Sequence, residues 1–421
     1  MIGKCLLMIP VILSHLIVPL ETEHALTPVS LSCSNENASS VSKEYGEQLK
    51  DVLFFDLNHN GSTAVVPEGA AEPLHAVDMH ITGRKLSVRV SSSFNDEEKC
   101  IDDLPLSGDL SHDRATIHRV ADAIHRELFG VNGIASTRFL YTVKTERNGK
   151  DYSSVWEADY DGGNPRQVTK NSEEYCLTPC YLPPAQGKAA GSFFYVSYRT
   201  GQSKIYVSAL NEGVGRLFTQ LNGNQFMPAI SRQRDRAAFI SDAAGHPDLF
   251  LQEFSPDKGA RGKPRQLFAS PFATQGSPTF SPDGTRLAFV SNKGGSPGIY
   301  ILAIPPPHTS LKEMAYTLVT KENRENTAPA WSPDGTKLAY CAKTKGVRQI
   351  WIYDFHTGAE KQLTKGEGNK ENPTWGPNSV HLLYNTSDRG ACELYLINTK
   401  QAQGVNILLG PGDKRFPAWD S

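Results

Sequence analysis

Some residues in this chain have types and spacings that could do chemistry. Gly294-Gly-Ser296-Pro-Gly298 matches G-x-S-x-G, the pattern that lifts a serine nucleophile onto a strand-to-helix turn. Pro297 follows that serine and the flanking segments read as strands, so the expected structure is a tight turn between two strands. Glu325, Glu371 and Asp413 are carboxylates suited to acid–base work, but no spacing marks two of them as a close pair. His118 and His125 lie two turns apart on a helical pattern and could bind a metal with His80 or His112. The favoured reading places them beside the helix's apolar stripe, in solvent. Cys176-x-x-x-Cys180 lacks the second ligand pair that a zinc site needs. The expectation is no catalytic residue, no metal and no cofactor.

The elements that would hold such residues are legible from a repeat. Pro179, Pro228, Pro278, Pro329, Pro373 and Pro417 recur at steps of 49, 50, 51, 44 and 44 residues, a period of stacked supersecondary units. Pro278-Thr-Phe-Ser-Pro-Asp-Gly-Thr matches Pro329-Ala-Trp-Ser-Pro-Asp-Gly-Thr, with weaker copies at Pro373 and Pro228. The Ser-Pro-Asp-Gly tetrapeptides have hairpin-turn chemistry. Phe239, Phe289, Tyr340 and Tyr384 each lie 11 residues past their proline, and Phe250, Tyr300, Trp351 and Tyr395 lie 11 further on. These segments alternate as half-buried strands do. Short fourth segments close the units at Arg265–Phe268, Tyr316–Val319, Lys361–Thr364 and Asn406–Leu409. Four strands per unit predict a propeller blade.

The ends of the repeat set the number of blades. Phe139–Tyr141, Val155-Trp156 and Gln167–Thr169 form a unit without a first strand, and Pro417–Ser421 is a first strand with nothing after it. Joined, they complete a ring, so residues 132–421 are expected to form an all-β six-bladed propeller closed by the C-terminal strand. Residues 25–131 lack the repeat and read as a small α/β domain. Tyr45, Leu49, Val52 and Leu53 mark a helix over Glu44–Leu53, and two alternating strands flank Gly83. A second helix is expected from Asp113 to Phe129, capped by Asp113 and ended by Gly130. Residues 91–111 read as a surface loop.

Residues 1–24 have the order of a secretory signal peptide: Lys4, an apolar run from Cys5 to Leu20, then polar Glu21–His24. The run is short for a spanning helix and contains Pro10 and Pro19. Export leaves six cysteines, Cys33, Cys100, Cys176, Cys180, Cys341 and Cys392, in an oxidising compartment. Their pairing stays open; Cys33 with Cys100 is the first pair to test, because both lie outside the repeats. With 43 basic against 45 acidic residues, no basic excess points to nucleic acid.

Together these features resemble the TolB family. The run from Val120 to Tyr141 is similar to that family's junction of helix, L-T-G-I-x-G and T-R-I-A-Y, and Arg415-Phe-Pro-Ala-Trp419 is similar to its K-F-P-A-W closing strand. The resemblance implies a soluble, monomeric periplasmic protein of the Tol–Pal envelope system that binds and does not catalyse. It implies a Pal-like peptidoglycan-associated lipoprotein held at the propeller mouth, which would leave the protein peripheral to the outer membrane. It also implies contact with TolA through the mature N-terminus, and roles in outer-membrane integrity, cell division and protein import. The chain departs from the family in two places. The segment Thr27–Ser32 before the first strand is short, and the Pro179 blade reads Cys-Tyr-Leu-Pro-Pro-Ala-Gln where W-S-P-D-G is expected.

Propeller geometry suggests where a partner docks. Each innermost strand starts at one face beside the channel, so the residues before the anchor prolines should ring its mouth. The expected contact set is Met227, Ser277, Glu325, Asn326, Lys370, Glu371, Asn372, Asp413, Lys414 and Arg415. Its mixed charges suit a wet protein interface. The competing class is a propeller hydrolase or lyase working at the same mouth.

Overall fold

Each blade grows out of its turn. In the computed structural model, Gly284 N–H donates to Ser281 O at 2.8 Å, Asp283 Oδ1 accepts from Thr285 N at 3.0 Å, and Gly284 takes a φ of 69°. Gly335 and Asp334 repeat this at the next Ser-Pro-Asp-Gly. These turns fold the innermost strand back onto the second. The 11-residue spacing of the aromatics is then the cross-strand register. Phe239 faces Phe250, Phe289 faces Tyr300, Tyr340 faces Trp351, Tyr384 faces Tyr395 and Tyr195 faces Tyr206. Such pairs contribute about 0.5–1.5 kcal/mol each beyond their burial.

The structure describes residues 26–36, 42–67, 72–94, 98–170, 174–311, 314–387, 391–400, 403–408 and 410–419. The expected signal peptide at 1–24 lies outside them. Six four-stranded antiparallel sheets form the propeller. In chain order their innermost strands are Cys176–Tyr181, Gln225–Ile230, Gln275–Phe280, Thr327–Trp331, Lys370–Trp375 and Asp413–Trp419, blades 1 to 6. Blade 6 joins the two ends of the repeat. Asp413–Trp419 pairs with Arg138–Arg147, placing Ala418 opposite Leu140 and Trp419 opposite Phe139.

Before the blades come five strands and two helices. They are β1 (Thr27–Glu36), α1 (Lys43–His59), β2 (Thr63–Val65), β3 (His75–Thr82), β4 (Lys85–Ser92), β5 (Glu98–Pro105) and α2 (Leu110–Phe129). The sheet order is β2-β1-β3-β4-β5, with β1 parallel to both its neighbours. Tyr45, Leu49, Val52 and Leu53 are buried on α1 as their spacing predicts, and Gly130 ends α2 with a φ of 71°.

Several expectations are corrected here. The cap of α2 is Asp109, whose side chain accepts from Ser111 N at 2.9 Å. Asp113 is buried instead and accepts from Ser107 N and Gly108 N, both at 3.1 Å. The polar stretch after β4 contains β5, an edge strand with both faces largely in solvent, so it has no apolar alternation to read. His118 and His125 are buried, not solvent-exposed. Cys33 on β1 and Cys100 on β5 are separated by β3 and β4. At roughly 4.8 Å per strand spacing that separation is far beyond the ~7 Å a disulfide spans, and all six cysteines are free thiols.

The α/β domain sits on the propeller face opposite the anchor-strand starts, over the ends of blades 5 and 6. One hydrophobic cluster runs from Leu49, Leu53 and Ile117 into Phe139, Tyr160, Leu394 and Trp419. Trp419 Nε1 donates to Thr137 Oγ1 at 2.8 Å, and Asn164 Nδ2 to Ser111 O at 2.8 Å. Among the described residues no helix is long and apolar enough to cross a membrane.

The channel mouth as candidate binding site

The six anchor prolines build the channel by a shared irregularity. The residue before each proline is left-handed: Thr178 (φ 43°), Met227 (52°), Ser277 (44°), Ala328 (48°), Asn372 (53°) and Phe416 (53°). At each of these points the innermost strand slips register against the second. Proline cannot donate to the ladder, so the bulge falls where that donor is missing. A left-handed side-chain residue costs about 1–2 kcal/mol. The repeated kink aims all six residue–proline pairs at the axis, where they ring a waist of about 220 Å³.

Above the waist opens a mouth cavity of about 400 Å³. Met227, Val290, Pro297 and Phe416 give it an apolar lining, and Arg348, Glu371 and Arg415 bring charge of both signs. Below the waist Ala229, Thr279, Ala330, Thr374 and Ala418 line a narrower space of about 210 Å³ with Trp331, Trp375 and Trp419 behind them. Polar bonds fix the mouth. Asn385 Oδ1 accepts from Asn372 Nδ2 at 2.9 Å and from Phe416 N at 3.3 Å, tying blade 5 to blade 6. Arg348 Nε lies 3.4 Å from Glu371 Oε1, and Ser277 N faces Met227 Sδ at 3.1 Å.

The expected contact residues divide by placement. Met227, Ser277, Glu371, Asn372 and Arg415 line the mouth cavity. Glu325 stands outside it, paired with Lys343 at 3.2 Å. Asp413 pairs with Arg415 at 3.4 Å and lines a separate hollow beside Lys144 and Asp151. Lys370 Nζ donates to the carbonyls of Glu367 and Gly368 at 2.7 and 2.9 Å. Asn326 and Lys414 are buried. Asn326 donates to Asn323 O at 2.7 Å, and Lys414 Nζ to Gly410 O at 2.6 Å. Their side chains hold loops in place and are not open to a partner.

Spacing from the prolines alone misses Thr274, Val290, Pro297 and Arg348, which reach the cavity from an inter-blade loop, from a second strand, and from the second-to-third-strand hairpins. Those hairpins point to the same face as the strand starts, and their turn residues are the signal that could have found them. The loop carrying Thr274 also bears Phe272, which is 99% exposed.

The geometry offers little to a catalyst. Glu325, Glu371 and Asp413 each face a cation of their own, Lys343, Arg348 and Arg415, so no two of them share a site. Ser296 lies in the turn between the antiparallel strands Arg286–Ser291 and Gly298–Ala303, with Gly295 at a φ of 94°. That is a hairpin, not a strand-to-helix elbow.

A six-bladed propeller with a kinked axial ring, an open mouth on one face and a small α/β domain on the other belongs to the class of propeller binding platforms. Residues 125–421 match the family described as PD40, TolB beta propeller domain. The chain is 50% identical over 381 residues to a protein named TolB homolog in Protochlamydia amoebophila, covering 85% of this chain and 81% of that one. A TolB homolog of Chlamydia trachomatis is 36% identical over 369 residues, covering 87% and 83%. The crystal structure of TolB from Acinetobacter baumannii superposes with a TM-score of 0.76 at 22% identity, covering 94% and 97%. The chain belongs to the TolB family. It is a protein of the Tol–Pal type, working by association and not by catalysis.

Proposed function

We propose that this chain is exported to the periplasm and holds a Pal-like peptidoglycan-associated lipoprotein at the channel mouth, supporting outer-membrane integrity and division. The observation that carries this reading is the mouth cavity, whose apolar lining from Met227, Val290 and Phe416 is rimmed by Arg348, Glu371 and Arg415. A few buried anchors within a charged, wet rim are what a tight but reversible protein interface uses. Phe272 adds an exposed aromatic at the edge of the same face.

The test is calorimetry with the soluble domain of the organism's own Pal-like lipoprotein. Met227→Asp and Arg415→Glu each weaken binding by at least about tenfold, about 1.4 kcal/mol, while leaving the melting transition in place. Unchanged affinity in both variants would rule the mouth out. Contact with TolA is proposed through the mature N-terminus, where Thr27–Glu36 is held on both sides by β2 and β3; in-cell crosslinking that compares the whole protein with one lacking residues up to Ser32 tests it.

A further inference from the structure

The seam between the α/β domain and the propeller carries histidines that the mouth does not use. His118 on α2 is buried, with Nδ1 2.8 Å from Asp56 Oδ2 of α1. Among the described residues its Nε2 finds no hydrogen-bond partner, and it faces Asp159 and Asp161 of blade 6 at 4.0 and 3.9 Å. Arg114 of α2 pairs with both of these carboxylates, and Arg138 reaches Asp159 at 3.0 Å. Tyr160 donates to Asp56 Oδ1 at 2.8 Å and packs in a T-shaped arrangement with the His118 ring. The ligand atoms of Asp56, His118 and Asp161 gather within 4.8 Å of one another. The Arg114 guanidinium already supplies the positive charge there, so the cluster is a proton and charge network, not a cation site.

His381, at the start of the second strand of blade 5, is the opposite case. It is buried beneath Gly61, where a Cβ would lie 3.1 Å from the ring. Asn378 Oδ1 accepts from Val380 N and His381 N at 3.1 and 3.2 Å. That turns the Asn378 amide nitrogen toward His381 Nδ1 at 2.9 Å, so Nδ1 is an acceptor and the ring is neutral. The titratable groups facing it are His59 of α1, His125 of α2 and Lys400 of blade 5, with no carboxylate among them.

We propose that this seam is a two-sided proton latch: His118, ringed by carboxylates from both domains, holds it while charged, and His381, ringed by bases, holds it while neutral. Burial pulls the His118 ring down, but the Asp56 hydrogen bond and the charges of Asp56 and Asp161 outweigh it and hold the ring above its ordinary value. A base raised in the docked state supports docking at low pH and loses that support as pH rises through the raised value. Asp56, pushed by burial up to about 6, has the same sign. Burial, opposed by the His59 backbone and aided by the charges of His59, His125 and Lys400, pushes His381 down to about 4, and burial also lowers His59. These two support docking above their ordinary value and lose that support as pH falls below it, with Asp56 opposing them and making the acid arm shallower. Docking is strongest near neutrality, and a different histidine governs each side.

Hydrogen exchange on the full chain reads this directly, as protection factors corrected for intrinsic rate, at residues 60–63 and 159–163 from pH 4.5 to 9. Protection at 60–63 falls between pH 6.5 and 4.5, by up to roughly 100-fold from His381, the limit for one histidine over that interval, and His381→Gln removes all but the smaller share that His59 carries. Protection at 159–163 falls above neutrality, and His118→Gln removes that dependence. An arm that its own variant leaves undiminished, or a wild-type profile flat on both sides, overturns the latch. Should either variant fail to fold, carbon-detected histidine titration of the unaltered protein decides. His118 must then titrate above the ordinary histidine value and His381 well below it, and either one on the wrong side overturns the assignment.

Discussion

Ala328 holds a φ of 48° immediately before Pro329, a combination that a side chain resists twice over. Left-handed backbone crowds its Cβ, and a following proline favours extended backbone. The fold tolerates this at six equivalent points because the slipped register leaves the proline without a ladder bond to break. Ala328→Val should therefore cost about 1–2 kcal/mol, since β-branching worsens the same crowding. Ala328→Gly should cost nothing or stabilise slightly. Chemical denaturation of the two variants checks this, and equal losses would mean that burial and not backbone strain governs the position. None of this strain is visible in the sequence, where a residue before proline reads as extended. The burial of the seam histidines is hidden from the sequence for a related reason. His118 and His125 flank a helical stripe that looks complete without them, but Asp56 of α1 and the propeller's Asp159 and Asp161 gather around His118, and Ser62 and Val131 hold His125.

At the scale of elements, the sequence was most legible where local chemistry and long-range pairing agree. Phe239 and Phe250 are 11 residues apart because a tight turn and two strands of equal length put them opposite each other. The period therefore carried the register as well as the strand type. β5 was illegible because an edge strand exposed on both faces has no buried side to mark. The mouth was half legible: the anchor spacing reached Met227, Ser277, Glu371, Asn372 and Arg415, but not Arg348 or Pro297, which arrive on second-to-third-strand hairpins at no fixed distance from the prolines. The sheet order also corrects the cysteine expectation, and that can be checked. Cys33→Ser combined with Cys100→Ser should leave unfolding free energy within about 0.5 kcal/mol of the parent, with or without reductant. A disulfide would be worth about 2–4 kcal/mol, so a loss of that size under oxidising conditions alone would contradict the β1–β5 separation.

The whole molecule depends on blade 6. Its innermost strand supplies Trp419, buried between the propeller and the α/β domain, and Phe416 at the waist. Ending the chain after Gly412 should lower stability by at least about 5 kcal/mol, because loss of a buried tryptophan alone typically costs 3–5 and an unpaired edge is exposed besides. Removing only residues 420 and 421 should leave the melt unchanged. A truncated ring that melts like the parent would show that closure is dispensable.

That closure also sets an order of events in time. Trp419 bonds Thr137 across 282 residues, and the pairing of Asp413–Trp419 with Arg138–Arg147 cannot begin until Asp413 and the residues after it have been made. Contacts this distant along the chain form slowly. A ribosome-bound chain is thus an open arc, with a bare strand edge at each end and no way to finish. The strand Asp413–Trp419 therefore acts as a clock, because the ring stays unshut until it arrives.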